Sequence, residues 1–390
     1  MRALTWHGRG DVRVDTHPDP AIQQPDDVIL DVTTTAICGS DLHLYEILSP
    51  FLEEGDILGH EPMGVVAEVG PEVTAVQPGD RVVVPFNVSC QQCWMCRNGL
   101  NSQCETTQVH EYDKGASLLG YTKLYGQVPG GQAELLRVRF GNTLPIKVPA
   151  GPPDERFLYL SDVLPTAWQA VEYAAVPDGG TLVVLGLGPI GDMATRIAQR
   201  RGHRVMGVDL VPERLQRARR NGVEVIELDD DTVARIRDAT DGRGPDSVID
   251  AVGMEAHGSG VGGFVQQMTA FVPDALAAKL MQRAGMDRLG ALHLAIEVVR
   301  RGGTISLSGV YGGETEPLPM LTLFDKQIQL RMGQANVHRW VPEILPLLEE
   351  GDAFGVESFH THQLSLDDAP RGYDMFQKKE DGAVKVLLKP

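Results

Sequence analysis

The sequence of 390 residues carries little positive charge. Its 35 Lys and Arg stand against 53 Asp and Glu, which gives a formal net charge of −18 at pH 7. Nucleic acids and anionic membrane surfaces require clustered basic side chains, so we expect neither as a partner. An anionic cofactor is not excluded, because a few backbone amides at a helix N-terminus are enough to hold one.

Long apolar segments are also missing. No uninterrupted apolar run reaches the roughly 18 residues that span a bilayer, and the first residues lack the apolar core and cleavage site of a secretion signal. Cysteine is scarce, with five in the chain, and four of them lie between positions 90 and 104. Without a secretion signal, such crowding indicates metal binding rather than disulfides. We therefore expect a cytoplasmic protein.

The four crowded cysteines have the spacing of a closed metal site. The pattern Cys90-x2-Cys93-x2-Cys96-x7-Cys104 allows four thiolates to surround one cation, as in a structural Zn²⁺ site. Disulfides within the C-x2-C units are the alternative. A site with four thiolates has no open position, so it predicts stability rather than chemistry and leaves Cys38 as the remaining thiol.

A second group of candidate ligands lies nearer the N-terminus. It begins with Cys38-Gly39-Ser40-Asp41-Leu42-His43 and ends with Gly59-His60-Glu61-Pro62. A thiol and an imidazole together suit Zn²⁺, and the pair Ser40 and His43 is suited to carrying the proton of a polarised alcohol to water. The alternative is that Cys38 is an inert buried side chain and His60 a hydrogen-bonded core residue.

The chain is too long for one ordinary core, which predicts two domains. Residues 1–162 show short alternating runs punctuated by Gly, Asp and Pro, typical of a β-rich domain. Uninterrupted apolar strands then alternate with helical segments over 163–332, which predicts a buried parallel sheet. Asp162 lies among apolar neighbours at this boundary, and the pattern alone favours a helix cap or an exposed loop carboxylate.

A dinucleotide-binding motif opens the second domain. The apolar run 181–185 is followed by Gly186-Leu187-Gly188-Pro189-Ile190-Gly191, then by a helix and a second strand that ends at Asp209. The glycines permit a tight turn and the close approach of a pyrophosphate to the helix N-terminus. Asp209 lies 18 residues after Gly191, where a carboxylate accepts from a ribose 2′-hydroxyl and repels a 2′-phosphate, so we expect NAD rather than NADP.

An insertion is predicted at 253–292, between a strand at 247–252 and a helix at 295–301. Strand–helix connections usually take about 2–6 residues, whereas this one is far longer and rich in Gly, Met and Ala. A lid over the cofactor, a subunit contact and a tolerated surface insertion are the alternatives.

With these motifs together, the chain resembles the zinc-dependent medium-chain alcohol dehydrogenases over essentially its whole length. Within them it is most similar to the formaldehyde dehydrogenase branch, because of Leu160-Ser161-Asp162-Val163-Leu164-Pro165-Thr166 and an insert that begins Gly253-Met254-Glu255-Ala256-His257. The resemblance implies an α/β fold with a GroES-like β-rich catalytic domain, 1–162 and 333–390, and a doubly wound Rossmann domain, 163–332.

The resemblance also implies roles for individual residues. Cys38, His60 and Asp162 hold a catalytic Zn²⁺ with one place left for a substrate oxygen, although most relatives have a Cys at the position of Asp162. Around the metal, the implied residues are Glu61 as a nearby acid, Asp41 as the partner of His60, Ser40 and His43 as the proton path, and Phe86 as a pocket aromatic. The implied cofactor contacts are Thr166 and Val310 at the nicotinamide and Lys385 at the pyrophosphate, where animal alcohol dehydrogenases keep an Arg.

These assignments predict an oxidoreductase with two Zn²⁺ per chain that transfers hydride between NAD and a small alcohol or aldehyde hydrate, as formaldehyde dehydrogenases do. A second hypothesis is aldehyde dismutation on NAD that the insert 253–292 holds tightly. A third is a non-catalytic binding protein on the same scaffold, which is disfavoured because no ligand position is vacant. Symmetric association into a homodimer or homotetramer is expected by default.

Overall fold

The computed structural model describes residues 1–46, 48–253, 289–311 and 318–390. The chain forms two compact units, Met1–Pro165 with Ala335–Pro390, and Thr166–Gln334. These boundaries lie within a few residues of the predicted 162 and 332. Most of the predicted insert, 253–292, lies outside the described residues, so its role as a lid or a subunit contact stays a prediction.

Short strands outnumber α-helices in the described part of the first unit, and strands alternate with helices in the second. The strands are β1 Arg2–Gly8, β2 Asp11–Thr16, β3 Val28–Ile37, β4 Met63–Val69, β5 Arg81–Val83, β6 Leu135–Val138, β7 Ile146–Lys147, β8 Thr181–Leu185, β9 Arg204–Asp209, β10 Glu224–Glu227, β11 Ser247–Asp250, β12 Thr304–Leu307, β13 Gln329–Met332, β14 His362–Ser365 and β15 Val386–Lys389. The described α-helices are α1 Gly39–Glu46, α2 Trp94–Arg97, α3 Val163–Ala174, α4 Pro189–Arg200, α5 Pro212–Arg220, α6 Thr232–Asp238, α7 Gly290–Val298, α8 Met320–Lys326, α9 Val337–Glu350 and α10 Ala369–Lys378.

The first unit is organised around β3. Across the described residues its strands follow the order β14-β15-β3-β4-β5-β7, and β6 pairs with β3 as well. The β3 residues are almost all buried, because strands cover this β-branched segment on both edges. In the antiparallel pairing of β3 with β15, Ile37 lies opposite Val386, so this register places Cys38 next to Lys385.

The second unit contains a parallel sheet with the order β10-β9-β8-β11-β12-β13 in the part of the chain that is described. The central strand β8 is buried at Leu182 to Leu185, as its uninterrupted apolar run predicts. The helix expected at 295–301 is found earlier, as α7, and ends because Val299 adopts ψ 140, outside the helical region. None of the described helices has both the length and the apolarity that crossing a bilayer requires.

Candidate active site

The four-cysteine segment forms a compact thiol cluster. Cys90, Cys93, Cys96 and Cys104 bring their sulfur atoms within 4.8 Å of one another, and Gln91 adopts a left-handed conformation, φ 59, that curls the chain. The Sγ atoms of Cys93 and Cys104 lie 3.9 Å apart, and Zn–S bonds of about 2.3 Å in a tetrahedron give a sulfur–sulfur edge of roughly 3.8 Å. The cluster therefore fits a structural Zn²⁺.

Backbone and hydroxyl donors support thiolates in this cluster. The amide of Cys93 donates to Cys90 Sγ at 3.3 Å, the amide of Cys90 donates to Cys104 Sγ at 3.4 Å, and Thr106 Oγ1 donates to Cys90 Sγ at 3.1 Å. A hydrogen bond from Cys96 lowers the pKa of the Cys104 thiol. A charged sulfur that already accepts hydrogen bonds is the form that binds metal.

The second donor set brings together residues far apart in the chain. Cys38 directly follows β3, His60 lies in the loop before β4, and Asp162 directly precedes α3. Asp162 Oδ2 lies 3.6 Å from Cys38 Sγ and 3.4 Å from His60 Nε2. Ligand bonds of about 2.3 Å to sulfur and 2.1 Å to nitrogen or oxygen predict tetrahedral edges of roughly 3.6 and 3.4 Å. The three donors therefore fit one Zn²⁺.

Asp41 orients the imidazole of this donor set. Its Oδ1 lies 2.9 Å from His60 Nδ1, which leaves Nε2 as the nitrogen that faces Asp162. Its Oδ2 accepts from the amide of Cys38 at 2.9 Å and from Gln132 Nε2 at 3.3 Å. A carboxylate behind a ligating histidine fixes the ring and its tautomer, so the expectation for Asp41 agrees with this geometry.

Two residues of this network were missed by sequence reasoning. Gln132 Nε2 also donates to Ala36 O at 3.0 Å, and Gln132 Oε1 accepts from Tyr373 Oη at 2.9 Å. Both side chains are fully buried. Because the tyrosine hydroxyl and the carbonyl of Ala36 dictate which way the amide points, Gln132 presents its NH₂ group to Asp41. The Gly130-Gly131-Gln132 sequence carries no signal for this role.

The electrostatics of the donor set favour a divalent cation. Burial raises the pKa of the Cys38 thiol and the pKa of the Glu61 carboxyl. Burial lowers the pKa of His60, but the charge of Asp41 and hydrogen bonds to Asp162, Asp41 and Cys38 together raise that pKa well above its usual value. These groups are crowded and desolvated together, and a bound cation stabilises the deprotonated form of each.

Lys385, expected at the cofactor pyrophosphate, has a partner that the sequence did not indicate. Its side chain is 0% exposed and its ammonium donates to Glu61 Oε1 in a close ion pair. The reason is the sheet register, which puts Lys385 next to Cys38. The structure makes this lysine the partner of the acid beside the metal ligands, and its expected contact with the cofactor pyrophosphate stays a prediction.

The residues expected to move a proton and to line a pocket lie around the same donors. Ser40 Oγ is 3.3 Å from His60 Nε2, and Ser40 and His43 are one helical turn apart on α1, where residues i and i+3 share a face. The rings of Phe86 and His60 meet edge to face at 6.2 Å, and the amide of Phe86 donates to Ser161 O at 3.0 Å, next to Asp162. Tyr121, which sequence reasoning missed, meets His60 at 6.4 Å.

The glycine motif of the second unit forms the expected turn. Gly186 adopts φ +83, Gly188 precedes α4 as its N-cap, and Pro189 is the first residue of that helix. A Cβ at Gly191 would lie 1.8 Å from the carbonyl oxygen of Gly186, so only glycine allows the helix this close. Ile190 is the second residue of α4. The turn thus presents a free helix N-terminus, the usual site of a dinucleotide pyrophosphate.

Asp209 lies at the end of β9 beside this turn. Its carboxylate accepts from the amide of Leu187 at 2.7 Å, Leu210 at 2.7 Å and Val211 at 2.8 Å. Arg214, which sequence reasoning missed, has a guanidinium nitrogen 3.8 Å from the same carboxylate and close to Gly188. Arg214 therefore adds positive charge near the turn. Acceptance of a ribose hydroxyl by Asp209 stays a prediction.

The two residues expected at the nicotinamide lie in different local settings. Thr166 is half-buried in the first turn of α3, and Val310 is 55% exposed after β12. A Cβ at Gly253 would lie 2.6 Å from the amide nitrogen of Val310, so the loops after β11 and β12 touch through their backbones. Tyr311 donates to the buried carboxylate of Asp250 and ties these two loops together. The expected contacts of Thr166 and Val310 with the nicotinamide stay predictions.

Comparisons with known proteins agree with this architecture. The model of the alcohol dehydrogenase GroES-like domain matches residues 24–149, and that of the zinc-binding dehydrogenase matches residues 189–259. A zinc-type alcohol dehydrogenase-like protein of Bacillus subtilis is 40% identical over 100% of both chains. The structure of the alcohol dehydrogenase TADH from Thermus sp. ATN1 superposes with a TM-score of 0.83 at 35% identity, covering 100% of this chain and 99% of that one.

The chain therefore belongs to the zinc-dependent medium-chain alcohol dehydrogenase superfamily and is an oxidoreductase. Two Pseudomonas relatives have names that specify a substrate. The glutathione-independent formaldehyde dehydrogenase of P. aeruginosa is 31% identical over 96% of this chain and 94% of its own, and the formaldehyde dismutase of P. putida is 31% identical over 97% and 95%. The predicted superfamily and fold class are confirmed, the two donor clusters fit the predicted catalytic and structural zinc ions, and NAD is the cofactor typical of the fold. The roles of the individual site residues stay predictions.

Proposed function

We propose that this oxidoreductase transfers hydride between NAD and a small alcohol or aldehyde hydrate, with Zn²⁺ held by Cys38, His60 and Asp162. The observation that carries the proposal is the convergence of these donors at 3.4–3.6 Å around Asp162 Oδ2. The bound Zn²⁺ supplies Lewis-acid chemistry that lowers the pKa of a hydroxyl toward neutrality. A formaldehyde-type substrate is supported by the Pseudomonas formaldehyde dehydrogenase relative.

The chain's own residues then carry the proton and the cofactor. Ser40 accepts the hydroxyl proton and passes it to His43, because Ser40 Oγ lies 3.3 Å from His60 Nε2 and both side chains lie on one face of α1 and are half-buried. Asp41 keeps Nε2 of His60 directed at the metal. The turn Gly186–Gly191 with the N-terminus of α4 binds the NAD pyrophosphate. In the oxidation, the substrate carbon gives its hydride to NAD⁺, and the substrate's hydroxyl proton leaves through the hydroxyl of Ser40 and the imidazole of His43.

Replacement of Asp162 by Ala tests this proposal. We expect the D162A protein to hold one Zn²⁺ per chain instead of two and to lose alcohol and aldehyde turnover, because the centre keeps only two donors. The matched control is D374A, which removes a half-exposed carboxylate of α10. Undiminished turnover in a D162A enzyme that has lost one zinc would exclude Asp162 and with it the proposed centre.

Dismutation is a second candidate, favoured by the 31% identity with formaldehyde dismutase of P. putida over 97% of this chain. One aldehyde hydrate would give hydride to NAD⁺ and become an acid. A second aldehyde would take that hydride and a proton to become an alcohol, which regenerates NAD⁺. The protein should then retain NAD through desalting and turn over aldehyde without added cofactor. A requirement for added NAD⁺ at every turnover rejects this candidate.

A further inference from the structure

A fully buried lysine lies beside the candidate metal ligands. Lys385 and Glu61 are each 0% exposed, and the ammonium donates to Glu61 Oε1. Lysine is almost never completely buried unless it is paired. The pair joins residues 324 positions apart, so it arises only through the folding of β15 against β3.

Backbone pairing fixes the position from which the Lys385 side chain extends. Val386 pairs with Ile37 across the sheet, which aligns Lys385 with Cys38. The carbonyl of Lys385 accepts from the amide of Thr361 at 2.9 Å and from Thr361 Oγ1 at 3.0 Å. The backbone of Lys385 is bonded to Thr361 and leads directly into β15. It is therefore held more precisely than a free loop, and the cation has little freedom to leave the ligand cluster.

Glu61 is a potential fourth donor to the same centre. Its carboxylate belongs to the group in which ligand atoms of Cys38, His60, Glu61 and Asp162 lie within 4.8 Å of one another. Glu61 Oε1 lies 3.9 Å from His60 Nε2, and Oε2 has no hydrogen-bond partner among the described residues. Four protein donors would complete a tetrahedron, and a closed site of this kind leaves no place for substrate.

We propose that Lys385 is a positioning residue that holds the Glu61 carboxylate off the catalytic metal and thereby keeps one coordination place open. The inference rests on the proposed function, because it requires a metal at Cys38, His60 and Asp162. The charges support it. Thiolate, aspartate and glutamate carry one more negative charge than Zn²⁺ offsets, and the lysine supplies the missing positive charge inside a buried site, where an unpaired carboxylate is costly.

Without the ammonium, Glu61 loses the cation with which it pairs in the described part of the chain, and the metal is left to take that place. We therefore expect Lys385→Met to close the site: Glu61 binds the metal, turnover falls, and a chelator removes the metal more slowly. Mutation of the partners behind metal ligands typically changes metal affinity or activity by about 10–100-fold. We expect the rate at which the chelator removes the metal to decrease by a factor in that range. NAD affinity is expected to change little, because the ammonium of Lys385 is fully buried against Glu61.

The experiment uses the full-length protein with Co²⁺ exchanged into the catalytic site and Zn²⁺ kept in the four-cysteine cluster. We compare the visible absorption spectrum, the rate of metal loss to a chelator, NAD binding and turnover for K385M, E61Q/K385M and K389M. Lys389 lies on β15, four residues after Lys385, but it is partly exposed and pairs with Glu155, so K389M is the matched control. The double variant contains neither buried charge, which separates the coordination effect from a folding defect.

The expected result is a changed Co²⁺ spectrum and slower metal loss in K385M, with the original spectrum restored in E61Q/K385M. If K385M and K389M have the same spectrum and the same rate of metal loss, Lys385 does not act on Glu61 and the inference is overturned. Faster metal loss in K385M that E61Q does not restore assigns Lys385 a purely structural role. A large rise in the Kd for NAD in K385M would show that Lys385 contacts the cofactor pyrophosphate instead, and would overturn the inference. Absence of Co²⁺ from this centre in the unmodified protein would overturn the proposed function itself.

Discussion

The replacement of Asp41 by Asn tests the support behind the candidate catalytic zinc. Asp41 is fully buried and uses both oxygens: Oδ1 faces His60 Nδ1 at 2.9 Å, and Oδ2 accepts from the amide of Cys38 at 2.9 Å. Asparagine has the same shape but only one acceptor oxygen. Its NH₂ group must therefore face either His60 Nδ1–H or the amide of Cys38, and both are donors.

The size of the effect follows from that conflict. Gln132 cannot relieve it, because the hydroxyl of Tyr373 donates to its Oε1 at 2.9 Å and keeps its NH₂ group toward residue 41. A buried donor that loses its acceptor costs about 1–3 kcal/mol. Since about 1.4 kcal/mol corresponds to a tenfold change, we expect D41N to bind the catalytic zinc roughly 10–100-fold more weakly, a range typical of residues behind metal ligands.

Competition with a chromophoric chelator measures this loss, together with the zinc content per chain. The four-cysteine zinc serves as an internal reference, because Asp41 does not belong to that cluster. The same substitution at the half-exposed Asp374 controls for the loss of a carboxylate elsewhere in this unit. If D41N keeps two zinc ions with the chelator profile of D374N, the carboxylate does not support the histidine and the reasoning is refuted.

Three further predictions concern other parts of the molecule. Cys104→Ser is expected to remove the structural zinc and lower Tm while the catalytic zinc stays, as metal analysis and calorimetry would show; retention of both ions contradicts this. Burial raises the pKa of Asp154, but hydrogen bonds, including that from Arg81 at 2.6 Å, hold this pKa below its usual value overall. Its stabilising contribution is therefore present above about pH 4, the unfolded value, and is lost as the pH falls through the folded value. Acid denaturation monitored by circular dichroism should show a shallower loss in D154N than in the unmodified protein, and identical pH profiles would count against it. Tyr311→Phe leaves Asp250 without its hydroxyl donor, at a cost of about 1–3 kcal/mol; we expect a higher KM for NAD with unchanged zinc content, and an unaltered KM would show that this link does not position the cofactor loops.

Features encoded by short spacings were predictable from the residues alone. The four cysteines span 15 positions, and a chain that short can bring their thiols to one point in few ways. The glycines from Gly186 to Gly191 likewise specify a turn, because a Cβ at Gly191 would collide with the carbonyl of Gly186. The apolar run of β8 specified a covered strand. In each case covalent connectivity and local sterics decide the outcome.

Long-range partners were not predictable in the same way. Cys38 and Asp162 are 124 positions apart, and only the resemblance to a family suggested that they share a metal. Nothing near Gln132 or Tyr373 marks them as supports of Asp41, and Lys385 was expected at a pyrophosphate but pairs with Glu61. The helix expected at 295–301 also begins earlier, at Gly290, because the apolar period does not define helix ends.

The amino-acid order is thus sufficient to define the kinds of donor present, the zinc lobe and the phosphate-binding turn, since these depend on neighbours a few residues apart. Which carboxylate meets which cation depends instead on strand register, because Val386 opposite Ile37 carries Lys385 to the ligand cluster. A shift of that pairing by one residue would turn the lysine to the other face of the sheet. If Lys385 holds Glu61 off the metal as proposed, the open state of the metal site depends on the folded sheet.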